Sequence, residues 1–164
     1  MVAEWIKRLA DEERNRDAQR VRQEEAVARK ADLVRVYGRR LVEELRATVT
    51  RDVEAFRDEF KGDRARDFVV EDLQPEGGFV VRKPESPAVS LRVAPHLETG
   101  AVGCHYHFTP NNGLPPREVR VELVFSGDAV ETLQMKHTAT GQVFASADAL
   151  SEYLLTPVFL GRPR

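Results

Sequence analysis

The stretch VRVYGRRLVEELRATVTRDVEAFRDEF, residues 34–60, decides how this chain folds. Its apolar side chains cover 26 residues in seven steps, a mean spacing of about 3.7 residues that is close to one helical turn. They are Val34, Tyr37, Leu41, Leu45, Val49, Val53, Phe56 and Phe60. A left-handed coiled coil repeats every 3.5 residues, so this spacing instead favours a straight helix lying on another surface. We predict a helix over 34–62 that ends near Gly62, because glycine commonly caps helix C-termini.

The segment before this helix is strongly charged. Residues 1–33 contain neither Pro nor Gly and are rich in Arg, Glu and Ala, which favour helix. Between residues 10 and 30 there is almost no apolar stripe, and a helix that is polar all round projects into solvent or is held at its ends. One apolar face stands at the far tip, formed by Val2, Trp5, Ile6 and Leu9 at positions i, i+3, i+4 and i+7. We predict that residues 1–33 form a charged helical extension whose tip is an interface.

The rest of the chain has the pattern of an antiparallel sheet. All nine prolines and eight of the ten glycines lie after residue 62, where they separate short apolar segments from one another. Such short connections favour an antiparallel meander. Strands are predicted over residues 68–73, 79–83, 88–94, 101–108, 118–125, 129–135 and 142–144.

Alternation in the three middle strands separates a buried face from a wetter one. The residues predicted on the buried face are Val89, Leu91 and Val93, then Val102, Cys104, Tyr106 and Phe108, then Val119, Val121, Leu123 and Phe125. We expect the long helix to cover this face. A short helix over 146–156 should follow, with Ser146 as its N-cap and Pro157 as its end.

Together these elements predict an α+β fold, in which a long N-terminal helix packs on a curved antiparallel β-meander of six or seven strands, followed by a short C-terminal helix. The predicted single α+β domain covers 34–164, with helix 34–62, sheet 68–144 and C-terminal helix 146–156. Residues 1–33 are its helical extension. A chain of 164 residues is long enough for one core and short for two.

Composition excludes several classes of protein. With 41% apolar and 32% charged residues, the chain is neither membrane-spanning nor wholly disordered, and no apolar run approaches the roughly 20 residues that cross a bilayer. A net charge of −2 gives no nucleic-acid signature. Cys104 is the single cysteine and the N-terminus carries no signal peptide, so we expect a cytoplasmic protein without a membrane partner.

The wetter face of the sheet carries a candidate ligand-binding site. His105 and His107 share this face at positions i and i+2, and parity adds Arg92, Arg120 and Glu122. Either histidine could act as an acid or a base, and His105, His107 and Glu122 could hold a metal. The same pattern fits two histidines on a solvated sheet face. We expect no structural metal and no cofactor.

The sequence contains no recognisable catalytic constellation. Cys104 has the opposite parity to His105, which makes it a core thiol rather than the partner of that histidine. Our leading hypothesis is a non-enzymatic interaction or scaffold protein that self-associates, as a homodimer, through its N-terminal helix. The alternative is a protein that binds or hydrolyses a small-molecule ligand, in a helix–sheet pocket or on the His105/His107 face. A nucleic-acid accessory role is the weakest hypothesis, because net positive charge is missing.

Overall fold

A computed structural model describes residues 3–73, 77–83, 85, 87–127 and 129–164 and confirms the predicted α+β fold. The helices are α1 (Glu4–Leu33), α2 (Arg39–Glu59) and α3 (Ala147–Leu160), and a π-helical segment, Val34–Gly38, joins α1 to α2. The strands are β1 (Val69–Asp72), β2 (Phe79–Lys83), β3 (Ala88–His96), β4 (Ala101–Thr109), β5 (Arg117–Ser126), β6 (Gln134–His137) and β7 (Val143–Phe144). They form one sheet in the order β1-β2-β3-β4-β5-β6-β7, with every neighbouring pair antiparallel.

The apolar stripe of α2 faces the core, as its spacing predicts. Val34 is the first buried residue along the described chain, and Val42, Leu45, Val49 and Val53 are buried in α2. The helix ends slightly earlier than predicted. It stops at Glu59, and Gly62 (φ +83°) lies in the turn that follows rather than at the cap.

The π-helical segment lies where the helix meets the sheet. A Cβ added at Gly38 would stand 3.1 Å from Cδ2 of Leu97, in the β3–β4 turn, and 3.3 Å from Cζ of Phe125 in β5. Glycine therefore lets the backbone approach the sheet closely. A π-helical turn also inserts a residue into the α-helical pattern without ending the helix. Helix α1 therefore continues into α2 with no loop between them.

The middle strands show the predicted alternation. Val89, Leu91 and Val93 are buried in β3, as are Cys104 and the other inward residues of β4. Both α2 and α3 pack against this buried face, and α3 adds Leu150, Leu154, Leu155 and Val158 to the core. Across the layer, the Tyr106 hydroxyl donates to the carbonyl oxygen of Leu154 at 2.6 Å.

The strand predicted over 129–135 is wrong. A 3₁₀ turn, Val130–Thr132, comes first, and β6 begins only at Gln134. Gly127 (φ +117°) turns the chain so tightly that an added Cβ would stand 2.4 Å from the Thr132 carbonyl oxygen. The Thr132 hydroxyl then accepts from the Ala129 amide at 3.2 Å, which holds the turn.

The third strand is longer than predicted, because it continues through Pro95 to His96. Proline has no N–H to donate to a neighbouring strand. It therefore occurs where its nitrogen faces no hydrogen-bonding strand. Val93 is the last β3 residue paired with β2, whereas pairing with β4 continues through Pro95 and Val102. Pro95 therefore lies where β3 has a partner on one side only.

The C-terminal helix begins as predicted but ends later. The Ser146 hydroxyl accepts from the Ala149 amide at 3.1 Å, which confirms the N-cap. The predicted end at 156 is wrong, since the helix continues through Pro157 to Leu160.

A substitute donor compensates for proline within α3. Pro157 has no N–H to offer the Tyr153 carbonyl oxygen, which lies four residues earlier. That oxygen instead accepts from the Arg164 guanidinium at 2.8 Å, and the same guanidinium lies 4.2 Å from the centre of the Tyr153 ring. The Arg164 side chain thus stabilises a turn that proline alone would weaken.

Candidate functional site

The tip of α1 exposes large apolar side chains. None of the 30 residues of α1, all of which the structure describes, is buried. Trp5 is 60% exposed, Ile6 43% and Leu9 51%. We call these three residues the tip cluster. Val2, the fourth predicted interface residue, lies outside the described residues.

Another exposed apolar residue lies on the same side of α1, near its base. Val27 is 68% exposed. It follows Leu9 by 18 residues, which is about five helical turns at 3.6 residues per turn. Leu9 and Val27 therefore point in the same direction, one near each end of the helix. Val27 is thus exposed on the side of α1 that carries Leu9.

The charges of α1 balance. The helix carries eight acidic and eight basic side chains. Neighbouring turns pair them, as between Arg14 and Asp11 at 2.7 Å and between Arg16 and Glu13 at 3.1 Å. Such exposed pairs contribute little stability, but they leave α1 without a net charge that would attract a polyanion.

The wetter sheet face contains a groove of about 750 Å³, here called the outward groove. Its floor is made of small residues, Ala94, Ala101 and Gly103. A row of three long polar side chains crosses one end of it. Arg92 on β3 pairs in register with His105 on β4, which pairs with Arg120 on β5.

The carboxylate that contacts both predicted histidines is Glu118. Its Oε1 lies 3.3 Å from Nδ1 of His107, and its Oε2 lies 3.7 Å from Nε2 of His105. Glu122, the predicted third member, pairs in register with Gly103 and lines the outward groove instead. The Nε2 atom of His105 is closed to solvent and has no hydrogen-bond partner within the described part of the chain.

Sequence reasoning missed Glu118 and also His96, which lines the groove. Glu118 has the same parity as Arg120 and Glu122, so it lies on the face already chosen. Only the β4–β5 register decides which of the two glutamates stands beside the histidines, and that register depends on a long loop. His96 follows Pro95, where the predicted strand had already ended.

A metal site does not emerge from these side chains. Across the described ranges, no group of three or more His, Cys, Asp or Glu residues is arranged to hold a metal ion. The expectation that His105 and His107 bind no structural metal stays a prediction. Elemental analysis of protein purified without a histidine tag tests it, and one equivalent of zinc, iron or nickel would contradict it.

Cys104 lies in the core, on the face opposite His105. Burial raises the pKa of its thiol to about 12, so the reactive thiolate is scarce at neutral pH. We expect a thiol reagent to label native protein very slowly and to label unfolded protein at once. Labelling of native protein at the rate of a free thiol would contradict this burial.

The clefts between helices and sheet are small. One of about 120 Å³ lies between α2, β6 and α3, beside Leu45, Met135 and Leu150. Another of about 180 Å³ lies between β4, β5 and the end of α3. Pockets for small molecules usually measure about 300–1,000 Å³, which favours the outward groove over a helix–sheet pocket as a ligand site.

Two surfaces contain most of the residues that the sequence predicted for an interface or a ligand site, the exposed side of α1 and the outward groove. Of the helices that the structure describes, none has both the length and the apolar character needed to cross a membrane. Comparison of the chain with protein-family models, with curated proteins and with solved structures found no match.

Proposed function

We propose that this protein is a homodimeric interaction protein, a non-enzymatic scaffold whose two copies pair along α1. The single observation that carries the proposal is the exposure of Trp5, Ile6 and Leu9 on a helix with no buried residue. A cluster of large apolar side chains in water is unfavourable, and on soluble proteins such clusters usually mark a binding surface.

The tip cluster cannot be covered by its own domain in this arrangement. Helix α1 runs 30 residues before the first buried residue, Val34, which corresponds to about 45 Å at 1.5 Å per residue. The remainder of the chain is a small body on the scale of a compact domain. We infer that a second molecule covers the tip cluster.

A second copy in antiparallel orientation fits the pattern of α1. Leu9 and Val27 lie on the same side of the helix, and Ala18 stands midway between them along its length, nine residues from each. A two-fold axis that crosses the helix pair at the height of Ala18 would place Leu9 of each copy against Val27 of the other. Trp5 would then lie opposite Ala31, near the start of the partner's folded body.

The polar middle of α1 tolerates this pairing. Arg16 and Arg20 would lie closest to the axis, where four guanidinium groups of two copies meet. Within its own chain, Arg16 contacts Glu13 at 3.1 Å, and Arg20 lies 3.9 Å from both Asp17 and Glu24. These carboxylates reduce the repulsion between the arginines. A balanced helix also favours a second copy over a nucleic acid.

The proposed setting is the cytoplasm. The supporting observation is Cys104, a single buried cysteine in its free form. Proteins kept in reducing compartments rarely depend on disulfides.

Light scattering of the Trp5→Ala variant tests the proposal. Buried tryptophans are often hot spots worth about 2 kcal/mol or more, and each dimer contains two of them, so we expect Kd to rise by about 1,000-fold. At micromolar concentrations the full chain should be a dimer and Trp5→Ala a monomer with unchanged helical content.

Val36→Ala is the matched control. Val36 is 61% exposed but follows Val27 by nine residues, about two and a half turns, and so lies on the opposite side of the helix. This variant should remain dimeric. A full chain that is monomeric throughout the micromolar range would refute the proposal, as would a Trp5→Ala variant that dimerises as well as the full chain.

A further inference from the structure

The outward groove combines an open floor with polar walls. Gly103 leaves room in its centre, because a Cβ added there would have Nε2 of His96 as a neighbour only at 4.0 Å and the Ala94 carbonyl oxygen at 3.8 Å. The imidazole of His96 thus stands beside the floor, and the Arg92–His105–Arg120 row crosses one end. Side chains from three adjacent strands therefore converge on one volume.

Among the residues that the structure describes, the two arginines of this row have no carboxylate partner. Arg82, on the same face of β2, binds Glu71. In contrast, neither Arg92 nor Arg120 forms an ion pair with any residue in the described part of the chain. A free guanidinium presents donors in a planar fork that suits an oxyanion.

The neighbouring acids leave this donor pair available. Glu118 is turned toward the imidazoles of His105 and His107. Glu122 stands one register row further along β5, beside Gly103. Arg92 has Ser90 and Ala94 as its same-face neighbours on β3, so no acid flanks it along its own strand.

We propose that the outward groove binds a small oxyanion, a phosphate or a carboxylate, between the guanidinium groups of Arg92 and Arg120. The Cα atoms of these residues are two strand spacings apart, about 10 Å, which two long side chains bridge around one small anion. His105 lies between them in register, with its Nε2 atom 3.7 Å from Oε2 of Glu118, while His96 supplies a further ring nitrogen at the side. A metal cation is disfavoured there, because the two arginines would repel it.

Backbone NMR of the full chain, titrated with inorganic phosphate or with succinate, tests this site. Sodium chloride keeps the ionic strength constant, and a chloride-only titration is the blank. We expect saturable amide shifts confined to the groove, at Ala94, Gly103 and His105. Saturation by either anion supports the site, and the ratio of the two affinities shows which oxyanion it prefers.

Arg92→Gln and Arg120→Gln should each weaken binding by at least about tenfold, because each removes a charge-assisted donor. Arg82→Gln is the matched control and should bind like the unaltered protein. Shifts that follow chloride alone, that spread evenly over the arginines of α1, or that survive both groove substitutions would overturn the proposal. These results do not depend on whether the protein dimerises, so this site and the α1 interface can fail separately.

Discussion

Replacing Leu45 with alanine should lower the free energy of unfolding by about 2–5 kcal/mol. Leu45 is 1% exposed, at the centre of the buried side of α2. It borders the small cleft shared with Met135 and Leu150, so truncation would enlarge an existing void rather than let the neighbours close around it. Cavities of this kind are costly because the lining atoms lose their contacts.

Urea denaturation followed by circular dichroism measures this loss, provided that the transition remains two-state. Leu114→Ala is the control, since Leu114 is 63% exposed in the loop before β5 and its truncation should change stability by less than about 0.5 kcal/mol. Equal stability of the two variants would mean that the stripe of α2 does not face the core.

Replacing Gly78 with alanine should also destabilise the protein, by about 3 kcal/mol or more. The added Cβ would stand 2.3 Å from the carbonyl oxygen of Val93 and 3.0 Å from Cδ of Pro95. The first of these atoms belongs to the backbone of β3, so the clash cannot be relieved by rotating a side chain. The start of β2 would have to move away from β3, where Phe79 pairs with Val93.

Gly103→Ala is the matched control, because Gly103 lies in the same sheet and its added Cβ meets nothing closer than 3.8 Å. Thermal unfolding should show a lower Tm for Gly78→Ala alone. If Gly78→Ala unfolds at the temperature of the unaltered protein, then the close approach of these two backbones is incorrect.

Local periodicity predicted most of the fold. The buried faces of β3, β4 and β5 follow from the alternation of apolar and polar residues, because successive side chains of a strand point to opposite faces of the sheet. The stripe from Val34 to Phe56 predicted the helix that covers them, since its spacing matches a helix and not a coiled-coil seam. These patterns depend on neighbours a few positions away, which a sequence shows directly.

Features that depend on distant contacts were not predictable in this way. The helix continues through Pro157 with the help of Arg164, which supplies the donor that proline lacks. The turn at Val130–Thr132 resembles a strand in composition and is set by the tight bend at Gly127. Neither feature changes the spacing of apolar residues from which helices and strands are predicted.

The candidate site shows the same division. Parity placed His105, His107, Arg92, Arg120 and Glu122 on one face, and the structure agrees. Parity did not reveal that Glu118 contacts the histidines, or that small residues in two neighbouring rows of the sheet leave a groove, because both depend on register across strands.

The most direct test of antiparallel pairing along α1 is a distance between spin labels in the dimer. Cysteines introduced by Gln19→Cys and Lys7→Cys would carry the labels, since both positions are exposed and native Cys104 is buried. Labelled unaltered protein is the blank. An axis near Ala18 predicts a separation below about 20 Å for Gln19→Cys and about 35 Å for Lys7→Cys, from the rise of 1.5 Å per residue. The same short distance at both positions, or no intermolecular distance at either, would contradict the account.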